Sequence, residues 1–241
     1  MLTFAFDNLR NVFIVLKMNI SEALQSVQQE LPPTTQLVAV SKTHPVEAVR
    51  EAYDAGQRIF GENKAQELRD KSNLLPKDIE WQFIGHLQTN KIKYIIHSVA
   101  LIHSVDSLRL LIEINREAKK AGRIVNCLLQ FYIAREETKF GLDLSEAKQL
   151  LSSPEYQTLQ HINIVGVMGM ASFTDDSDVV RKEFRSLKVI FDELKACCFP
   201  AKDDFKEISM GMSNDYSIAV EEGSTLVRVG SRIFGQRNYS N

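Results

Sequence analysis

The stretch QLVAVSKTHPVEAVREAYDA, residues 36–55, decides the fold. Its apolar, β-branched start at Gln36–Val40 predicts a buried strand, and the spacing of apolar residues over Pro45–Ala55 predicts a helix. The connection SKTH, residues 41–44, carries a lysine directly off the end of the buried strand. A strand followed at once by a helix is the repeating unit of a parallel sheet.

The same alternation continues along the chain. The further predicted pairs are Arg58–Phe60 with Glu62–Ser72, Glu80–Ile84 with Thr89–Ile95, Ala100–Ser104 with Asp106–Ala121, Ile124–Phe131 with Ser145–Leu151, Ile162–Met168 with Asp178–Cys197, Phe205–Ile208 with Ser213–Glu222, and Leu226–Val229 with a short tail. Eight such units in 241 residues predict a single-domain (β/α)8 TIM barrel. An open doubly wound sheet is the alternative, but the Gly-x-Gly-x-x-Gly turn that would favour it is missing from the sequence.

Composition narrows the function classes. The chain is 44% hydrophobic and 25% charged with a net charge of -2, which is typical of a soluble globular protein and gives no sign of a nucleic-acid surface. Its three cysteines have no zinc-binding spacing and fit a reducing compartment. We therefore expect a cytoplasmic protein without a metal site and without a nucleic-acid partner.

The first 17 residues form a separate segment of the sequence. They are apolar but interrupted by Asp7, Asn8, Arg10 and Asn11, so they are too short and too broken for a membrane span, and they lack the features of a signal peptide. One interpretation takes Met18 as the natural start, which makes residues 1–17 an extension; the other takes them as a genuine helix. In both, residues 18–241 form the single barrel domain.

Lys42 is the first candidate for chemistry. In a barrel of this type the active site lies at the carboxyl ends of the strands, and Lys42 follows the first strand directly. Burial lowers the pKa of a lysine, and a neutral amine can form a Schiff base with an aldehyde. A surface or ion-paired lysine is the simpler interpretation of this residue alone.

The stretch ISMGMSNDYSIAVEEGSTLVRVGSRIFG, residues 208–235, is the second candidate. It covers the loops after strands seven and eight, where barrels often bind phosphate, and Ser213 is predicted to cap the helix between them. Arg228 shares a strand face with Leu226 and Gly230, so it needs either a carboxylate partner or an acceptor atom of a ligand. A lysine that can bond to an aldehyde and a phosphate site at the same barrel mouth together predict that the ligand is pyridoxal 5'-phosphate.

At this point the chain resembles a known family. The motifs AVSKTHP, FGENKAQE, WQFIGHLQTNK, EETKFGL, GVMGMA and the whole of residues 209–235 are similar, in order, to those of the pyridoxal phosphate homeostasis proteins, single-domain relatives of the N-terminal barrel of alanine racemase. The resemblance covers about Met18 to Gly235. One departure is Tyr132, which stands where a smaller polar residue is expected and puts one wall of the pocket in question.

The resemblance implies a set of cofactor-binding residues. They are Lys42 as the Schiff-base lysine, Ser213 with the backbone of Gly230 and Ser231 at the phosphate, Arg228 at the pyridine nitrogen, Asn63 beside the cofactor, and Met168 and Ser209 lining the pocket. It also implies a protein that carries pyridoxal phosphate and takes part in its homeostasis without catalytic residues. Pyridoxal-phosphate-dependent apoenzymes are then the expected partners, and a barrel that completes its own site is expected to be a monomer.

Two enzyme functions stay open. An amino-acid racemase or a related enzyme needs a second acid/base group, for which Tyr132, His86 and Tyr216 are candidates by residue type. A barrel aldolase acting on a sugar phosphate would share the lysine and the phosphate site, but it does not explain Arg228.

Overall fold

The chain folds into a closed parallel barrel with the strands in sequential order, which confirms the predicted (β/α)8 fold. The computed structural model describes residues 19–134 and 140–236. The strands are β1 Gln36–Val40, β2 Ile59–Glu62, β3 Glu80–Phe83, β4 Val99–Val105, β5 Val125–Phe131, β6 Ile162–Gly169, β7 Glu207–Met212 and β8 Leu226–Val229. The segment 1–17 lies outside the described residues.

Helices surround the barrel. They are α1 Ile20–Glu30, α2 Val46–Asp54, α3 Ala65–Leu74, α4 Ile92–Ile95, α5 Leu108–Lys120, α6 Leu144–Ser152, α7 Pro154–Gln157, α8 Ser177–Cys197, α9 Tyr216–Glu221 and α10 Ser231–Phe234, with a 3-10 turn at Thr89–Lys91. Over the described ranges, none of these helices has the length and apolar character needed to cross a membrane.

The barrel closes where the first strand meets the last. β1 pairs with β8 in parallel, and Gln36 lies opposite Leu226 while Val38 lies opposite Arg228. Because parallel strands end on the same side, this pairing brings the loops after β1 and β8 together at the mouth. Lys42 and Gly230 belong to these two loops.

The apolar core has two parts. The larger part lies between the barrel and its helices, as the amphipathic helices require. The smaller part fills the barrel interior with the side chains of Val38, Leu101, Leu128, Val165, Met168 and Leu226. These six side chains pack the barrel interior beneath the mouth.

The end of β7 differs from the sequence prediction. The strand was expected at Phe205–Ile208 but reaches Met212, because Gly211 takes a φ of 91° and the register to β8 shifts between Ser209 and Met212. Such a bulge continues a strand past residues that would otherwise form a turn. The predicted helix cap at Ser213 is wrong, since α9 begins only at Tyr216.

Candidate functional site at the barrel mouth

A cavity of about 610 Å³ opens at the carboxyl ends of the strands. Five of the residues predicted from the sequence line it: Lys42, Ser213, Arg228, Gly230 and Ser231. Its other walls come mainly from the loop between β6 and α8, at residues 170–177, and from α9. The structure thus brings the lysine after β1 and the C-terminal stretch to one site.

The backbone on both sides of Lys42 is fixed by hydrogen bonds. The Ser41 amide donates to the Gly61 carbonyl at 3.1 Å, and the Ser41 hydroxyl donates to Oε1 of Glu62 at 2.6 Å. On the other side, the Thr43 amide donates to Glu67 at 2.7 Å. Thr43 has a φ of 66°, a left-handed conformation that is unfavourable for a β-branched residue. Lys42 therefore starts from a defined backbone position.

A buried lysine holds this arrangement from behind. Lys71 is only 4% exposed, and its ammonium lies 2.7 Å from the Ser41 carbonyl, 2.7 Å from Glu62 and 2.9 Å from Glu67. Burial raises the pKa of Glu62, and the charge of Lys71 opposes that rise. The sequence alone does not predict this cluster, although the four-residue spacing of Glu67 and Lys71 indicates an ion pair on a helix.

Arg228 is a buried cation on the cavity wall. It is 5% exposed, and it donates through Nη1 to the Ser209 hydroxyl oxygen at 2.6 Å and through Nη2 to the Gly169 carbonyl at 3.1 Å. Burial lowers its pKa to about 10, which leaves it charged at neutral pH. No carboxylate of the described residues forms an ion pair with it, so its charge is balanced only by neutral acceptors and by the more distant Asp215. Of the two partners considered for Arg228, the acceptor atom of a ligand is the one this geometry favours.

The loops after β7 and β8 meet at the opposite end of the site. The hydroxyl oxygen of Ser213 accepts a hydrogen bond from the Gly230 amide at 3.2 Å. A Cβ atom at Gly230 would lie 3.0 Å from the Val40 carbonyl oxygen, so this close approach of β1 and the β8 loop favours glycine. Gly230 and Ser231 both line the cavity, and Gly230 places no side chain over its own backbone.

The other three predicted site residues lie beside or beneath the cavity. Met168 is fully buried in the packed interior, and Ser209 lies behind Arg228. Asn63 is half-buried after β2, and its Oδ1 atom is buried without a hydrogen-bond partner in the part of the chain that is described. These residues do not form the cavity wall, but Ser209 touches a residue that does.

The three acid/base candidates lie outside the cavity lining. The amide of Tyr132 donates to the Leu142 carbonyl, and Tyr132 is not among the described residues that line the cavity. His86 is exposed at 3.8 Å from Asp106. Tyr216 hydrogen-bonds Glu30 and Arg232 at the outer helix layer, and burial raises its pKa to about 12. The described carboxylates that do line the cavity are Asp175 and Asp215.

Comparison with known proteins places this geometry in a family. Residues 17–238 match the family described as the N-terminal domain of alanine racemase. A pyridoxal phosphate homeostasis protein of Aquifex aeolicus is 40% identical over 205 residues, which cover 84% of this chain and 87% of the relative. The chain belongs to the family of pyridoxal phosphate homeostasis proteins.

Two solved structures share the fold of this chain. PipY of Synechococcus elongatus, in a structure with pyridoxal phosphate bound, is 38% identical and superposes with a TM-score of 0.81 over 90% of this chain and all of PipY. Alanine racemase of Clostridium difficile superposes with a TM-score of 0.71 at 17% identity, over 92% of this chain and 60% of the racemase. The racemase therefore shares the barrel fold.

Proposed function

We propose that this protein binds pyridoxal 5'-phosphate at the barrel mouth and takes part in pyridoxal phosphate homeostasis. The observation that carries the proposal is that Lys42 and Arg228 line one cavity, where Arg228 is a buried cation to which the described residues offer no carboxylate ion pair. The amine of Lys42 can bond to an aldehyde, and the guanidinium group of Arg228 can donate to a ring nitrogen. The backbone at Gly230 can donate to a phosphate. The names of the relatives and the ligand of PipY support the same conclusion.

Lys42 would hold the cofactor through a Schiff base. Its amine nitrogen bonds to the aldehyde carbon and a water molecule leaves, so the link is reversible by hydrolysis. The unusual conformation of Thr43 and the hydrogen bonds of Ser41 fix where the Lys42 side chain begins. Ser213, Gly230 and Ser231 would bind the phosphate, and Asn63 supplies an amide oxygen that has no partner in the described chain.

We infer that the protein binds without catalytic turnover. Bound pyridoxal phosphate supplies an electron sink to enzymes that protonate its ring nitrogen. A guanidinium group is a donor only, so Arg228 facing that nitrogen would keep it unprotonated. The acid/base candidates of the sequence lie away from the cavity, and the Asp215 carboxylate accepts a hydrogen bond from the Met212 amide. Apoenzyme partners, a monomeric state and a cytoplasmic location stay predictions.

Absorption spectroscopy with chemical trapping tests the covalent link. We expect an absorption band near the edge of the visible range after addition of pyridoxal phosphate, and borohydride reduction that fixes the cofactor on the Lys42 peptide. Lys42→Ala should abolish the band and the trapping. Lys64→Ala is the matched control, because Lys64 is exposed near the same mouth but does not line the cavity. Trapping that persists in Lys42→Ala would contradict the assignment.

Exchange of substrate α-hydrogen in deuterated water tests the absence of turnover. We expect the loaded protein to leave the α-hydrogens of a panel of L- and D-amino acids unexchanged. Exchange that disappears in Asp215→Asn would instead support an amino-acid-transforming enzyme, with Asp215 as its base.

A further inference from the structure

Polar side chains cross the barrel interior beneath Arg228. Ser209 of β7, His103 of β4 and Gln82 of β3 are all buried, next to the apolar side chains that fill much of the interior. Arg228 Nη1 lies 2.6 Å from Ser209 Oγ, which lies 2.9 Å from Nδ1 of His103. Nε2 of His103 lies 2.6 Å from Oε1 of Gln82. One chain of three hydrogen bonds thus runs inward from the cavity wall.

The donors and acceptors of this chain allow one direction. Arginine only donates, so the Ser209 oxygen accepts from Arg228. The Ser209 hydroxyl proton then has one acceptor among the described residues, Nδ1 of His103. A neutral imidazole whose Nδ1 accepts carries its proton on Nε2, which donates to Gln82. The opposite direction would leave a buried hydroxyl proton without an acceptor, which is costly.

The charge state of His103 agrees with this direction. Burial and the nearby charge of Arg228 hold the pKa of the ring well below its usual range, so His103 stays neutral. A protonated ring would place a second cation beside Arg228 and would remove the acceptor from Ser209. The direction of the chain is therefore independent of pH in the physiological range.

We propose that His103 is a positioning residue that, through Ser209, fixes the orientation in which the guanidinium group of Arg228 faces the cavity. Nδ1 draws the hydroxyl proton of Ser209 away from Arg228, so a lone pair of the serine oxygen meets Nη1. The four residues of this hydrogen-bond chain lie on four strands, β3, β4, β7 and β8, so the hydrogen bonds connect Arg228 to the opposite wall of the barrel. The proposal rests on the proposed function only for the identity of the ligand that Arg228 meets.

Two substitutions of His103 separate positioning from packing. Asn places a carbonyl oxygen near the position of Nδ1 and can accept from Ser209, whereas Gln places its amide near Nε2 and keeps only the contact with Gln82. We expect His103→Asn to keep the affinity for pyridoxal phosphate within about threefold, and both His103→Gln and Ser209→Ala to weaken it about tenfold or more. Equal losses in the two His103 variants, or no loss in either, would overturn the proposal.

Nitrogen-15 NMR of the cofactor-free protein provides a second readout. We expect His103 to show the neutral tautomer with its proton on Nε2, unchanged from about pH 5.5 to about pH 8.5. The side-chain signals of Arg228, assigned with Arg228→Lys, should shift in His103→Gln and stay in place in His103→Asn. An Nδ1–H tautomer, a titrating His103 or Arg228 signals that are the same in both variants would overturn the proposal.

The binding measurement and the NMR measurement test different claims. A wild-type protein that does not bind pyridoxal phosphate would refute the proposed function, while the NMR spectra would still decide the role of His103. Circular dichroism checks that each variant is folded. If both His103 variants are unfolded, the tautomer in the wild-type protein and the Arg228 signals in Ser209→Ala decide the question.

Discussion

The ammonium nitrogen of Lys71 lies 2.7 Å from the main-chain oxygen of Ser41, the residue that precedes Lys42. The same ammonium contacts Glu62 and Glu67, which in turn bind the Ser41 hydroxyl and the Thr43 amide. Both backbone neighbours of Lys42 are therefore held by one charged cluster. This cluster has no contact with the cavity, so its effect on the site is exerted through the backbone.

Replacing Lys71 by methionine should destabilise the protein strongly. The substitution keeps most of the side-chain volume but leaves Glu62 as a buried carboxylate without its cation, which typically costs about 3–5 kcal/mol. Urea unfolding measures the loss. Lys93→Met is the control, since Lys93 is exposed on α4 and should change the free energy of unfolding by less than about 0.5 kcal/mol. Similar values for the two variants would contradict the role of Lys71.

The stability lost in Lys71→Met should grow as the pH rises. Burial raises the pKa of Glu62 in the folded state above its ordinary value of 4.5. Between pH 4.5 and the raised pKa, the folded state binds more protons than the unfolded state, so the free energy of unfolding falls as the pH rises. Removal of Lys71 raises the pKa of Glu62 further and extends this range upward. Unfolding at about pH 5 and about pH 8 should show a larger deficit at the higher pH. Adding Glu62→Gln should remove that dependence; a deficit equal at both values would count against the mechanism.

Thr43→Gly should leave the protein as stable as the wild type, or more stable by up to about 1 kcal/mol. Glycine relieves the left-handed strain at Thr43, worth about 1–2 kcal/mol, and this exceeds its entropic cost of about 0.5–1 kcal/mol. The Thr43 amide keeps its bond to Glu67. Thr34 is exposed and has a negative φ, so Thr34→Gly should show the entropic cost alone in the same unfolding assay. A loss at Thr43 as large as at Thr34 would show that no strain is relieved.

Ser213→Ala should weaken binding of pyridoxal phosphate while the fold stays intact. The substitution removes the oxygen that accepts from the Gly230 amide, so the two loops at the proposed phosphate site lose their link. We expect the dissociation constant, measured by equilibrium dialysis, to rise about fivefold to twentyfold. Ser217 is exposed on α9, and Ser217→Ala should bind like the wild type. Unchanged affinity in Ser213→Ala would place the phosphate elsewhere.

The strands were predictable because each buried strand of a parallel barrel is a short apolar run with turn-forming residues around it. β1 and β8 have the predicted bounds, since Gln36–Val40 and Leu226–Val229 end at polar or glycine residues. β7 was missed in part, because the bulge at Gly211 depends on how β8 and α9 pack against it. The alternation of strands and helices is enough to predict the fold, whereas the exact end of a strand such as β7 depends on tertiary contacts.

The candidate site was predictable only where its residues lie next to strand ends. Lys42 stands out in the sequence because it follows an apolar strand, and Arg228 stands out because it interrupts one. His103 has no comparable signal, since its partners come from other strands and its burial depends on packing. For Lys71 the spacing to Glu67 indicates an ion pair on a helix, but its contacts with Ser41 and Glu62 depend on tertiary packing. Met168 was predicted to line the pocket, but its position on β6 places it in the packed interior below the cavity. The sequence does not show how deep along a strand a side chain lies.

The pairing of β1 with β8 also sets the order in which the site can assemble. Lys42 follows the first strand and Arg228 lies in the last, so a chain emerging from the ribosome lacks a complete site until nearly all of the barrel has been synthesised. A ligand bonded to Lys42 and held by Arg228 would span the junction of these two strands and resist their separation. Cofactor uptake would then follow folding and slow the opening of the barrel at its final closure.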